Sequence, residues 1–208
     1  QTVNGPTGRV QKVVAVSTTA STTFHGETVR SALGLRSTWF SVRWLALAKS
    51  QTLPQGNVSP VTLTGIVRGF SGVQLEAKPS GSVWAPVGPV TPNADGSFSI
   101  AVRPSVTTAY RLAAGTLRGG QVTLAIAPVV TASALNGSVS GSVAPAAAGL
   151  PVELQVRNGS VWQAVVASTT DPTGAFTLGA QLAPGTYRVK CVPGAGLSPG
   201  FSATIVIS

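Results

Sequence analysis

Few residues in this chain of 208 could carry out chemistry. It has one histidine, His25, and one thiol, Cys191, far apart in sequence, whereas nucleophilic catalysis needs a base beside its nucleophile. Phe24-His25-Gly26-Glu27 reads as a tight turn with Gly26 available for positive φ, which makes His25 an exposed turn residue. Cys191 lies between Val189 and Val192 and reads as a small buried apolar residue. Being single, it excludes an intrachain disulfide. The acids number five. Asp95 and Asp171 precede glycine-containing turns, where aspartate bonds the backbone. Glu76 and Glu153 fall on matching strands, with side chains expected to face solvent. No carboxylate pair suits glycoside cleavage, no His/Cys/acid spacing suits a metal, and no glycine-rich loop opens a helix after a strand to cradle a nucleotide. The expectation is a chain without catalytic, cofactor or metal residues.

The chemistry left is recognition. Fourteen Lys and Arg against the five acids give a formal charge of +9 and a pI near 11.2, a balance that favours anionic partners. The cations are scattered singly, without a basic run or interleaved aromatics, so a specific nucleic-acid site is not expected. Anionic cell-wall polymers or glycans are the expected partners, with further copies of the chain as a second possibility. The candidate binding or assembly residues are Trp39, Phe40, Trp44, Trp84 and Trp162. Three Asn-X-Ser sequons begin at Asn57, Asn136 and Asn158, and the two Asn-Gly pairs among them read as turns.

Elements that position these side chains are legible from repetition. Gly81-Ser82-Val83-Trp84 returns as Gly159-Ser160-Val161-Trp162, Asp95-Gly96-Ser97-Phe98 answers to Thr173-Gly174-Ala175-Phe176, and Tyr110-Arg111 to Tyr187-Arg188, each about 78 residues on. A register that constant marks tandem copies of one unit, at a length that suits a small self-contained domain. Each copy offers short alternating segments between turns, such as Val61–Val67, Val73–Ala77 and Ser97–Val102, then Pro151–Val156, Val161–Ala167 and Phe201–Ile207. Regular spacing of this kind predicts two-sheet antiparallel sandwiches. Trp84 and Trp162 should fill equivalent core or sheet-edge sites, as should Phe98 and Phe176. Ahead of the copies, Val10–Val16 reads as a strand and Thr28–Leu33 as a short helix closed by Gly34. Phe40–Ala48 reads as a strand apolar on both faces, and Gln51–Pro60 as a polar linker. The expected fold is all-β: a hairpin-rich segment at 1–50, an immunoglobulin-like sandwich at 51–128 and a prealbumin-like sandwich at 129–208. A terminal hairpin buries little by itself, so Trp39, Phe40 and Trp44 must lie on the next domain, another chain or a missing body.

Two resemblances add to this. Gly8-Arg9-Val10, Gly26, Arg30 and Leu33-Gly34-Leu35-Arg36-Ser37-Thr38-Trp39-Phe40 resemble the C-terminal end of stage II sporulation protein D domains of exported actinobacterial proteins, over residues 8–42. Members that act on peptidoglycan do so with an upstream carboxylic acid that no position here matches, so the resemblance implies a wall-associated parent and carries no activity onto this chain. Thr170-Asp171-Pro172-Thr173-Gly174-Ala175-Phe176 and Leu182-Ala183-Pro184-Gly185-Thr186-Tyr187 resemble prealbumin-like carboxypeptidase-regulatory or Cna B-type sandwiches, over 129–208, which imply a stalk, spacer or binding module. Some such relatives carry Lys–Asn crosslinks, but no lysine lies between Ser80 and Val189, so none is expected in the second copy.

The chain lacks methionine, and no uninterrupted apolar run could cross a bilayer. Gln1 fits a mature or trimmed end of an exported protein. The functional expectation is a non-catalytic, secreted or surface-associated module for cell-wall or surface binding or spacing. Alternatives are a subunit that assembles into a fibre or layer by strand addition, and the accessory tail of an upstream peptidoglycan-active enzyme or protease.

Overall fold

The structure, a computed structural model, describes residues 2–16, 20–48, 51–56, 59–135, 137–179 and 182–207. Asn57 and Asn136 of two sequons, and the segment 17–19, lie outside the described residues.

The chain begins with β1 (Thr2–Asn4), β2 (Val10–Val16) and β3 (Ser21–His25), a three-stranded antiparallel sheet, followed by α1 (Gly26–Ala32). His25 is the last residue of β3 and stands at the helix N-cap. Gly26 is therefore not a turn glycine. Its backbone lies against the Val10 carbonyl where a Cβ would collide, so glycine is needed for close approach and not for positive φ. The helix ends as its sequence predicts. Gly34 takes φ 62°, its N–H bonds Ser31 O at 3.2 Å, and Leu35 N bonds Arg30 O at 2.9 Å, the two bonds of a Schellman cap.

Next come β4 (Trp44–Leu47), β5 (Gln51–Pro54), β6 (Val61–Arg68), β7 (Gln74–Pro79), β8 (Ala85–Pro89), β9 (Ser97–Val102), β10 (Thr108–Ala114), β11 (Leu117–Arg118) and β12 (Val122–Ala127). They form two sheets, in the orders β4-β6-β9 and β5-β12-β10-β7-β8, with β11 beside β10. Two expectations change here. The segment read as a linker contributes β5, paired in parallel with β12. The strand read from Phe40 is only β4, and it is hydrogen-bonded along β6, so Trp44 sits on the neighbouring sandwich and not on an orphan hairpin.

The remainder is β13 (Val129–Leu135), β14 (Ser138–Ala144), β15 (Pro151–Asn158), β16 (Val161–Thr169), β17 (Ala175–Gly179), β18 (Gly185–Cys191), β19 (Gly200–Phe201) and β20 (Ile205–Ile207). Their orders are β13-β14-β17 and β16-β15-β18-β19, with β20 also on β18. The strand expected over Phe201–Ile207 is broken because Ser202 turns aside: its N–H bonds Val189 O and its hydroxyl accepts from Val189 N, both at 2.9 Å.

Strand order is the same in both copies, β4-β6-β9 matching β13-β14-β17 and β8-β7-β10 matching β16-β15-β18. Each copy encloses its own core: Leu63, Leu75, Leu112 and Leu124 in one, Leu154, Leu178, Val189 and Cys191 in the other. Alternation explains the facing. Along β6 the buried residues are Val61, Leu63 and Val67, with Thr62 and Thr64 outside. One pairing recurs in detail. Gly65 lies opposite Phe98, and Gly141 opposite Phe176, both rings are buried, and each rests where its glycine has no side chain. The two sandwiches also meet. Thr107 N donates to Gly196 O at 3.0 Å, Thr107 Oγ1 and Ser198 Oγ are 2.9 Å apart, and Ser198 N donates to Ile126 O at 2.7 Å.

Candidate functional site

The acids are all engaged within the protein. Glu27 pairs with Arg30 on α1. Glu76 does not face solvent as expected: it is largely buried and takes Arg111 Nε at 2.7 Å and Arg118 Nε at 3.2 Å. Glu153 accepts from Gln155 Nε2 at 2.6 Å. Asp95 and Asp171 close the same loop in the two copies. Asp95 Oδ1 accepts from Ser97 N at 2.9 Å and Ser97 Oγ at 2.7 Å; Asp171 Oδ1 accepts from Thr173 N, Thr173 Oγ1 and Ala175 N. Both carboxyls are held below the ordinary 3.8, Asp95 mainly by the Ser97 hydroxyl and Asp171 mainly by that of Thr173. Groups lowered in the folded state contribute stability above their unfolded pKa and lose it as pH falls through the folded value. Acid titration should therefore destabilise the chain below about pH 4, and a melting-temperature profile of Asp95→Asn/Asp171→Asn should be flatter there. A double variant that follows the wild-type profile contradicts this.

His25 is exposed on β3, and Cys191 is fully buried in the second core, where burial pushes its thiol pKa up. Such a thiol is a packing group and not a ready nucleophile. Among the described residues no cluster of His, Cys and acids could hold a metal ion, and no helix is long and apolar enough to cross a membrane.

The aromatic candidates separate into two kinds. Trp39 is 67% and Trp44 56% exposed; Phe40 is half-buried. Trp39 has Arg9 near its ring at 5.9 Å from the centroid. The octet that contains it also closes the N-terminal unit, since Thr38 is buried and its carbonyl takes Val10 N at 3.0 Å. Trp44 lines a groove of about 900 Å³ together with Val13 and Ala15 of β2 and Phe70 and Gly96 of the first sandwich.

Trp84 and Trp162 are half-buried, each against an arginine. Arg111 lies 4.0 Å from the Trp84 centroid, and Arg188 lies 4.2 Å from that of Trp162. The two repeated motifs thus meet in space: the tryptophan of Gly-Ser-Val-Trp stacks on the arginine of Tyr-Arg, in both copies. The preceding tyrosines, Tyr110 and Tyr187, are buried, and Tyr187 donates to Ala183 O at 2.8 Å, which anchors β18 and so fixes where Arg188 emerges. Stacking of this kind contributes about 0.5–2 kcal/mol according to its desolvation. It also covers one face of each indole. The copies differ beyond the tryptophan. Arg111 is directly opposite Glu76 and bonded to it, whereas Arg188 is opposite Gln155, to which its Nε donates at 2.8 Å. Arg188 also lies 4.2 Å from the Phe201 centroid, and burial lowers its pKa. Sequence reading missed Phe201, which has no counterpart in the repeated motifs.

No protein-family model and no curated protein matches this chain. Solved structures do. A biofilm-associated protein BSP domain matches at 14% identity over 78% of this chain and 29% of its own, with a TM-score of 0.30, so this chain spans under a third of that domain. A two-domain fibronectin type-III segment of chicken tenascin matches at 14% identity over 79% of this chain and 98% of its own, with a TM-score of 0.37. The class rests on the sheets themselves: an all-β protein of tandem immunoglobulin-like sandwiches behind a small N-terminal sheet.

Proposed function

We propose that this chain is a non-catalytic module of an exported bacterial protein, working at the cell surface by binding anionic wall polymers or by spacing the protein along them. One observation carries the reading. All five acids are satisfied internally, while ion pairs among the described residues engage Arg30, Arg111 and Arg118 alone. The excess of +9 is left to attract an anionic partner. The segment Leu33–Phe40, similar to wall-associated sporulation-protein tails, supports the location, and the hydrogen-bonded junction at Thr107 and Ser198 suits a spacer.

The full chain should co-sediment with purified bacterial cell walls at low ionic strength and be released as salt is raised, because exposed charges are screened over about 8–10 Å at 0.1–0.15 M. Failure to sediment at low salt sinks the binding reading.

A second reading, assembly into a fibre or layer, is favoured by the exposure of Trp39 and Trp44. A solution mass that stays monomeric at every concentration removes it. Service as the accessory region of an upstream wall enzyme or protease is compatible with either.

A further inference from the structure

We infer that Arg188, held between Trp162 and Phe201, is a binding site for the oxyanion of an acidic saccharide. The inference rests on the wall-polymer reading above and gives it a location.

Three observations combine. The guanidinium is held from strands on either side of β18, on one face of the sheet. In the order β16-β15-β18-β19, Trp162 reaches over from β16 and Phe201 from β19, each centroid 4.2 Å away. Its Nε is committed to Gln155 Oε1. Its two Nη groups have no partner among the described residues, and because no buried side-chain N or O among those residues is left unpaired, they are open to solvent. A planar fork with its stem tied and its tips free presents two parallel donors, which matches a carboxylate or phosphate. The flanking rings restrict its rotamers, so little freedom is lost when an anion binds.

The first sandwich shows what an occupied version looks like. There the arginine opposite position is Glu76, and that carboxylate already bonds Arg111 and Arg118. In the second sandwich the same place across the ladder holds the neutral amide of Gln155. The charge on Arg188 has no carboxylate in direct contact among the described residues. Two more cations share its sheet face, since Arg157 is directly opposite Trp162 and Lys190 directly opposite Phe201. The one acid there, Glu153, is opposite Lys190 and bonded to Gln155.

A saccharide is favoured over a bare anion by Phe201, which is 46% exposed. The part of that ring left open by Arg188 can pack the C–H face of a pyranose against its π-surface while the sugar's carboxylate meets Nη.

Calorimetric titration of the full chain with trigalacturonate at low salt tests this, beside a neutral galactose trisaccharide and a short polyphosphate. Wild type should bind the uronide and not the neutral sugar. Arg188→Lys, which keeps the charge and loses the fork, should weaken binding at least tenfold. Arg111→Lys should stay within twofold, and Phe201→Ala should weaken binding several-fold. Should Arg188→Lys fail to fold, Phe201→Ala still decides, because its ring is substantially exposed. Equal losses for Arg188→Lys and Arg111→Lys, or no loss for the former, overturn the site. Polyphosphate bound as tightly as the uronide overturns the saccharide assignment. If wild type and Arg188→Lys sediment equally with cell walls, the site fails and the wall reading stands; if wild type does not sediment, the wall reading itself fails.

Discussion

Gly141→Ala should destabilise the second sandwich by more than the ~1–3 kcal/mol usual for an overpacked core. A Cβ there has nowhere to go. It meets the Thr131 carbonyl on the neighbouring strand, the Phe176 ring at 2.8 Å and Ala132 Cα at 2.9 Å. A ring can swing aside, but a carbonyl in a β ladder cannot move without opening the β13–β14 pairing. Gly141→Ala/Phe176→Leu should therefore recover little of the loss, which separates a backbone collision from simple crowding. Gly65, facing the Ala46 carbonyl and Phe98, predicts the same outcome in the first sandwich. Denaturant unfolding measures both. A loss of less than about 0.5 kcal/mol, the range of neutral surface changes, refutes the argument.

Leu154→Ala should cost about 2–5 kcal/mol, the range for emptying a buried leucine site. Leu154 is fully buried among Phe176, Val189 and Cys191. It lies on β15, central between β16 and β18, so the cavity opens where three strands depend on it. Domains are stable by only about 5–15 kcal/mol, so the second sandwich should reach a large fraction of its unfolding threshold. Hydrogen exchange then reports how far the damage spreads. Because Leu154 belongs to one core and Leu112 to the other, β13–β20 should lose protection while β6–β10 keep theirs, apart from amides near Thr107 that bond across the junction. Equal loss in both sandwiches would mean one cooperative unit in place of two.

Much of the fold was legible because the physics involved is local. Alternation along Val61–Val67 and Pro151–Val156 fixes which residues turn inward, and the constant register makes Phe98 equivalent to Phe176 and Trp84 to Trp162. What escaped was set at a distance. Gln51–Pro54 is polar and carries a proline, so it reads as a linker; its strand geometry comes from β12, about seventy residues later. Gly26 looks like a turn glycine because glycine reports only the missing side chain, and whether φ or a neighbouring carbonyl requires it is settled by packing. The Trp–Arg contacts left a usable trace, since both residues recur at nearly the same interval. Phe201 left none, because it occurs in one copy alone, and an alternating stretch from Phe201 to Ile207 hides the break at Ser202. The solvent-facing expectation for Glu76 failed because Arg111 and Arg118 fold over it from strands that local sequence cannot pair.

The matched strand orders bear on how the chain is made. β6 recognises β9 through Gly65 and Phe98, and β14 recognises β17 through Gly141 and Phe176. The notch and the ring are alike in both, so nothing at that contact stops a strand of one copy from docking in the other. Order of emergence supplies the discrimination. Both sheets of the first sandwich are complete once β12 has left the ribosome, before β14 and β17 have emerged to compete, and domains fold in that order during synthesis. Refolding the finished chain from denaturant removes that protection, so tandem misassembly belongs to the test tube more than to the cell.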